Sequence, residues 1–230
     1  MGIRMLGRLR KSLDNQCGRD DFVIAQLQAL PADSLLLDAG CGSQRYRPHC
    51  AHLRYKAQDF GQAGTDEKAS MAATVNYQYG QLDYIGDIWQ IAEADASFDA
   101  ILCTEVLEHI PFPIETLREF ARLLKPGGRL ILTAPSNSLR HMDPYFFYTG
   151  FSDRFFERVL KDSGFQVSSL QAVGDYYRWL AVEMVRTATS HSLLSKLMLA
   201  PAFLYYYLKR PTEASVNTMC MGYHIVAQRT

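Results

Sequence analysis

Leu35-Leu36-Leu37-Asp38-Ala39-Gly40-Cys41-Gly42-Ser43 places a carboxylate and two glycines at the end of an aliphatic run. Gly40 and Gly42 let the backbone turn tightly and offer N–H groups where side chains would block a ligand. Three aliphatics in a row read as a strand buried on both faces, and in open α/β sheets the ligand crevice lies at the carboxyl ends of such strands. A dinucleotide fingerprint would need a third glycine three residues on, where this chain has Arg45, and the Lys-Ser/Thr of a P-loop is absent. The turn therefore suits a nucleoside-like ligand without phosphates. Asp59 ends the next strand, about 20 residues after the turn, where an acidic residue can hold ribose hydroxyls. A solvated loop carboxylate is its other reading.

These residues need a scaffold, and the flanking pattern supplies one. Residues 34–135 alternate strand-like and helix-like stretches, which predicts βαβ units and a parallel sheet. Strands are expected at 34–38, 54–59, near Leu82–Tyr84, at Ser97–Cys103 and at Arg129–Thr133. A helix is expected over Ile114–Leu124, with Leu117, Phe120, Ala121 and Leu124 on one face, closed by Lys125-Pro126-Gly127-Gly128 as a helix stop. Residues 1–33 read as an N-terminal helical extension whose second piece, Asp21–Leu30, ends before Pro31. Residues 61–80 are polar and carry no clear period.

Taken in order, these pieces resemble the class I S-adenosylmethionine-dependent methyltransferases. They look most like the small-molecule group labelled type 11, which includes ubiquinone and menaquinone biosynthesis enzymes. The resemblance rests on Leu37-Asp38-Ala39-Gly40-Cys41-Gly42, Asp59, Gly86-Asp87-Ile88, Phe98-Asp99-Ala100-Ile101, Glu105-Val106-Leu107-Glu108-His109 and Leu124-Lys125-Pro126-Gly127-Gly128. It implies a Rossmann-like α/β fold: a seven-stranded, mostly parallel sheet with helices on both faces and an antiparallel last strand. Gly164–Val167 and Tyr223–Ala227 suit the last two strands. Residues 136–230 would then hold a substrate-facing loop, those strands and a helical insertion at about 175–210, all of the same domain as the core at 34–135. Phe151–Ser163 reads as a helix whose phenylalanines belong to the core.

The resemblance also implies roles. Asp38, Gly40 and Gly42 would surround the methionine half of the cofactor, S-adenosylmethionine. Asp59 would accept from both ribose hydroxyls, Asp87 and Ile88 would meet the adenine edge, and Phe60 would pack on its face. Asp87 could equally cap a helix. Cys103 and Glu105 would lie by the methionine amine and the substrate mouth, and Arg45 or Arg47 could pair with the methionine carboxylate. Transfer is an in-line displacement from a sulfonium, so alignment supplies much of the catalysis. A hydroxyl acceptor calls for a base to take its proton, and His109 and His141 are the candidates by position. The loop His141-Met142-Asp143-Pro144-Tyr145-Phe146-Phe147-Tyr148 suits a flat or greasy acceptor. No metal is expected. The minority arrangement is Mg²⁺ on Glu105, Glu108 and His109, which would share one face if helical.

Composition narrows the class further. Lys plus Arg and Asp plus Glu balance at 24 each among 230 residues, without the basic excess of a nucleic-acid binder. Five cysteines without framework spacing read as reduced thiols, hence a cytoplasmic protein. Arginines break Met1–Lys11 too often for a secretory apolar core, though with Ile3, Leu6 and Leu9 they make a basic amphipathic segment. Residues 193–210 are apolar and aromatic, broken by Lys196 and Pro201, and read as a lid, a dimer surface or an interfacial segment. The expected function is methyl transfer to an oxygen, less readily carbon or nitrogen, of a small-molecule or lipid-linked acceptor, with peripheral contact to the inner face of a membrane. The alternative is a non-catalytic cofactor-binding or scaffold protein on the same fold. A nicotinamide-dependent oxidoreductase is disfavoured by Arg45.

Overall fold

The run Leu35-Leu36-Leu37 becomes the centre of the sheet because its side chains are apolar on both faces of the pleat. The computed structural model describes residues 15–62, 79–189 and 192–230. The basic amphipathic segment expected near the N-terminus, and most of the polar stretch 61–80, lie outside those residues. Helix α1 (Gln16–Gln28) leads into β1 (Leu35–Ala39), β2 (Arg54–Asp59), β3 (Tyr84–Ile85) and β4 (Phe98–Thr104). Then come α2 (Pro113–Leu123), β5 (Leu124–Pro135), α3 (Asp153–Asp162) and β6 (Phe165–Val173). Three further helices, α4 (Tyr176–Thr189), α5 (Leu193–Leu208) and α6 (Glu213–Thr218), precede β7 (Gly222–Arg229). They occupy the place of the expected insertion and continue past residue 210.

The described strands form a seven-stranded sheet in the order β3-β2-β1-β4-β5-β7-β6. The pairs from β3 to β5 are parallel, and β7 runs antiparallel to both β5 and β6. This is the Rossmann-like architecture the sequence implied.

Strand alternation divides the core. Leu37 and Ala39 of β1, with Ile101 and Cys103 of β4, pack with Leu117 and Phe120 of α2 and Phe156 and Leu160 of α3. Their neighbours Leu36, Ala100 and Leu102 point the other way, onto Val23 and Leu27 of α1. Period two in the strands thus sends successive residues to two helical layers. Each fully buried large aliphatic or aromatic side chain stabilises the fold by about 1.5–3 kcal/mol.

Some boundaries differ from expectation for local reasons. α2 starts at Pro113, whose fixed φ suits the first helical position. It stops at Leu123, because Leu124 is already extended and Pro126 disfavours a helical Lys125. Lys125–Gly128 therefore belongs to β5 rather than to a glycine-capped helix end. α3 begins after Ser152, whose hydroxyl accepts the Phe155 N–H at 3.2 Å. Among the described residues, no helix is long and apolar enough to cross a membrane.

Candidate active site

Carboxyl ends of β1, β2 and β4 converge on a cleft of about 530 Å³, within the usual range for a small-ligand site. Gly40 and Gly42 both sit at positive φ, +72° and +50°, so the turn after β1 folds into the crevice with its N–H groups directed at the β2 end. The Gly40 N–H reaches the Gln58 carbonyl at 2.9 Å, and the Gly42 N–H reaches Asp59 Oδ2 at 2.8 Å. Gln58, almost wholly buried, also donates from Nε2 to the Gly86 carbonyl at 2.8 Å. It joins the glycine turn to the Gly86-Asp87-Ile88 segment across the floor of the cleft.

Asp38, Gly40, Gly42, Asp59, Phe60, Asp87, Ile88, Glu105 and His109 all line this cleft, as expected. Asp59 takes backbone N–H groups from Gly42 and, at 3.3 Å, from Gly61. A carboxylate offers about four lone-pair sites, so acceptor capacity remains on the side facing the cavity. Asp87 opens a turn, with Gln90 N–H to its carbonyl at 3.1 Å, rather than capping a helix. Phe60 stands at the rim, edge-on to Tyr145 with centroids 5.7 Å apart.

Two expected positions differ. Cys103 lies in the core layer beneath α2 and α3 and is fully buried, with its thiol pushed up by that burial. Strand parity explains this: the last residue of β4, Thr104, reaches the cleft, and the one before it cannot. Arg45 is held by Asp20, and Arg47 by Gln44 Oε1 at 2.7 Å with its guanidinium over Tyr55.

Sequence reasoning missed Arg19. Helix α1 crosses the mouth and delivers Arg19 to Glu105, Nη1 to Oε2 at 3.0 Å, with both side chains largely buried. Glu105 itself has φ +51°, rare for a residue with a side chain, and is fixed by Thr133: its N–H meets the Thr133 carbonyl at 3.0 Å and its Oε1 accepts the Thr133 hydroxyl at 2.9 Å. Asp38 is almost completely buried, with the Tyr55 hydroxyl as its hydrogen-bond donor. Loss of water, against that single donor, pushes its carboxyl up to about 7.

The Glu105–His109 segment is not a helix. Only Leu107–His109 forms a short 3₁₀ turn. The helical face that the minority Glu105–Glu108–His109 arrangement needs does not form, and Glu105 is engaged by Arg19 and Thr133. His141 takes its place instead: Glu108, His109 and His141 bring ligand-type atoms within 4.8 Å of one another. The two rings meet edge to face at 4.6 Å. His109 Nδ1 is 2.7 Å from the Tyr145 carbonyl and His141 Nδ1 is 2.8 Å from the Leu139 carbonyl. A carbonyl only accepts, so each Nδ1 carries a proton, and His109 Nε2 lies 3.7 Å from Glu108 Oε1. Glu108 is buried, and its carboxyl is pushed up by that burial and by the charge of Glu105. His109 faces the cleft, while His141 backs it from behind. Met142, Tyr145 and Phe147 from the same loop, with Ile110 and Trp89, make the apolar wall beyond.

The donor set fits a cationic nucleoside with an amino-acid end. Carboxylates at Asp59 and Asp87 suit hydroxyl and amino donors, and Arg19 with Asp38 and Glu105 can meet a carboxylate and an amine.

Comparison with known proteins agrees. Residues 37–132 match the methyltransferase domain family. A ubiquinone biosynthesis O-methyltransferase of Xanthomonas axonopodis pv. citri is 37% identical over 120 residues, which cover 50% of this chain and 48% of that protein. An arsenite methyltransferase of Aquipseudomonas alcaligenes is 36% identical over 118 residues, covering 51% and 30%. This chain thus spans about half the length, or less, of these curated relatives. Among solved structures, a SAM-dependent methyltransferase of Methanosarcina mazei superposes with TM-score 0.52 at 17% identity, covering 87% of this chain and 94% of that one. Phosphoethanolamine N-methyltransferase 2 of Haemonchus contortus, in complex with S-adenosyl-L-methionine, gives 0.52 at 12%, covering 92% and 52%. Residues 37–132 thus carry the match to the methyltransferase domain family, and the glycine-turn cleft of the Rossmann-like sheet, which those residues help to line, is the candidate site.

Proposed function

We propose that this protein transfers the methyl group of S-adenosylmethionine to an oxygen of a small or lipid-like acceptor. One observation carries the reading: the turn of Gly40 and Gly42, the carboxylates of Asp59 and Asp87, and the His109 ring all open into one cleft. The bound cofactor supplies an electrophilic methyl on a sulfonium, a good leaving group.

The chain's own residues do the rest. Asp59 accepts from the ribose hydroxyls, Asp87 and the Ile88 N–H hold the base, and Arg19 pairs with the carboxylate at the other end. Asp38 and Glu105 face the amine. The wall of Met142, Tyr145 and Phe147 excludes water and aligns a flat acceptor, and such alignment can contribute ~7–11 kcal/mol. His109, its ring fixed by the Nδ1–H bond to the Tyr145 carbonyl, takes the hydroxyl proton on Nε2, and His141 orients the His109 ring. Oxygen is favoured over carbon or nitrogen because an imidazole stands at the acceptor wall, where a hydroxyl proton needs a place to go. The ubiquinone O-methyltransferase likeness supports the same choice.

The test is transfer of labelled methyl from S-adenosylmethionine to a panel of phenols and catechols. His109→Ala and His141→Ala should cut turnover by ~10²–10⁴-fold and ~10-fold respectively, with cofactor affinity retained. Unchanged rates in both would remove the base. EDTA should leave the rate unchanged; a loss restored by a divalent cation would instead make Glu108, His109 and His141 metal ligands. Cofactor binding without transfer to any acceptor in the panel would favour the scaffold alternative.

A further inference from the structure

Helix α5 is built with its apolar side facing out. Leu193, Leu194, Leu197, Met198, Leu204 and Leu208 are each more than half exposed, Leu193 and Met198 at 73%. At 100° per residue these positions fall within one arc of less than half the helix circumference. The opposite arc is already used. Tyr206 stacks on Tyr177 of α4 at 6.3 Å, and Tyr207 receives the Arg178 guanidinium at 4.8 Å. The exposed arc is therefore not a face awaiting α4. Contiguous apolar surface of this kind marks an interaction site on a soluble fold.

Charge decides what it meets. From residue 184 to residue 212 the sequence holds Arg186, Lys196, Lys209 and Arg210 and no acidic residue. Lys209 lies 4.8 Å over the Tyr205 ring, an aromatic-and-cation pair suited to the level of lipid headgroups. A second copy of the chain fits less well. Two-fold antiparallel packing of α5 on itself would bring Lys209 and Arg210 of each copy to an arc that holds no carboxylate to meet them. Length excludes a span: the 16 residues of α5 reach about 24 Å, short of the ~30 Å hydrocarbon core. Pro201, on the outward side, also leaves the Leu197 carbonyl without its helical donor, which is tolerable near headgroups and costly deep in lipid.

We infer that α5 docks the protein on an anionic bilayer, lying in the interface plane with Leu197 and Leu204 inserted and Lys196, Lys209 and Arg210 on phosphate. The contact leads back to the cleft. Trp179 and Val182 of α4, on which α5 rests, line a small crevice together with Asn137–Leu139, where the loop carrying His141 to Phe147 begins. Bilayer docking names the surface from which a lipid-like acceptor would reach the site proposed above. It does not depend on that reading, because vesicle binding is measured without turnover.

The test is co-sedimentation of the full chain with phosphatidylcholine vesicles, with and without phosphatidylglycerol. Binding should appear with phosphatidylglycerol and weaken as salt rises. Lys196→Glu with Arg210→Glu should weaken it at least tenfold, at about fivefold per charge. Leu197→Ser with Leu204→Ser should also weaken it tenfold or more, while circular dichroism and S-adenosylmethionine affinity stay at wild-type values, since both leucines are exposed. Failure to sediment with either vesicle overturns the inference. So does binding that both double variants leave unchanged, or a concentration-dependent dimer that Leu197→Ser with Leu204→Ser dissolves.

Discussion

Replacing Asp38 by Asn should move stability and cofactor affinity in opposite directions. Burial holds the Asp38 carboxyl at about 7 in the folded chain, far above its ordinary value. The folded state therefore binds this proton more tightly than the unfolded chain does. Stability from this group is complete below pH ~4, declines as pH rises, and is lost above pH ~7; about three pH units at ~1.4 kcal/mol each cap the loss at about 4 kcal/mol. Asn keeps an acceptor for the Tyr55 hydroxyl and has no charge to bury, but it adds an amide N–H₂ that needs a partner. The net gain at pH 8 should be about 1–3 kcal/mol in urea unfolding, shrinking to nothing or reversing near pH 5. S-adenosylmethionine affinity at pH 8 should fall ~10–100-fold, because the Asp38 carboxylate faces a cationic ligand. In the wild type, affinity should weaken about tenfold per pH unit below 7, and the Asn variant should lack that slope. Equal pH slopes of stability in the two proteins, or equal affinity at pH 8, would refute the argument.

Two other changes probe the turn and the helix across the mouth. Gly40→Ala should cost about 2–4 kcal/mol, since its Cβ would lie 2.5 Å from Val106 Cγ2 on a backbone at φ +72°. Adding Val106→Ala should recover the steric share, and wild-type stability in the single variant would show that the turn yields. Arg19→Met should lose about 1–3 kcal/mol by leaving Glu105 unpaired in a half-buried site. It should also weaken cofactor binding about tenfold, whereas the double variant with Glu105→Gln should regain stability but not affinity. A double variant no more stable than Arg19→Met would mean the ion pair contributes nothing measurable.

Most of the scaffold was legible because its signals are local. Three aliphatics before Asp38, the apolar run ending at Cys103 and the apolar spacing of Leu117, Phe120 and Leu124 each act on their own stretch of backbone. Cys103 failed for a reason also present in the sequence: if Thr104 ends the strand at the cleft, its neighbour must face the core. Arg19 left no such signal. It lies 86 residues before Glu105, on a helix with little apolar contrast between faces, and only tertiary packing unites them. The Glu105–His109 turn was hidden for another reason. A positive φ is announced by Gly or Asn, and Glu105 adopts it because Thr133 and Arg19 hold it from three sides. α5 shows the same boundary: its apolar content is plain in the sequence, but which arc faces outward depends on where α4 lies.

The balance of charge in the cleft accounts for the choice of ligand. Asp38, Asp59, Asp87 and Glu105 line it against Arg19 and Arg45, and Arg45 is already taken by Asp20. A pyrophosphate would meet carboxylates there, with no third glycine to draw a helix N-terminus close. A sulfonium with an ammonium group meets the opposite: excess negative charge in a partly enclosed, low-dielectric space, where attraction is stronger than in water. The acceptor side differs again. Glu108 is held toward its neutral form, and both imidazoles are fixed by Nδ1–H bonds to backbone carbonyls. One end of the cleft thus favours a cation, and the other gives the proton of an uncharged hydroxyl somewhere to go, which is the polarity that the proposed methyl transfer to oxygen requires.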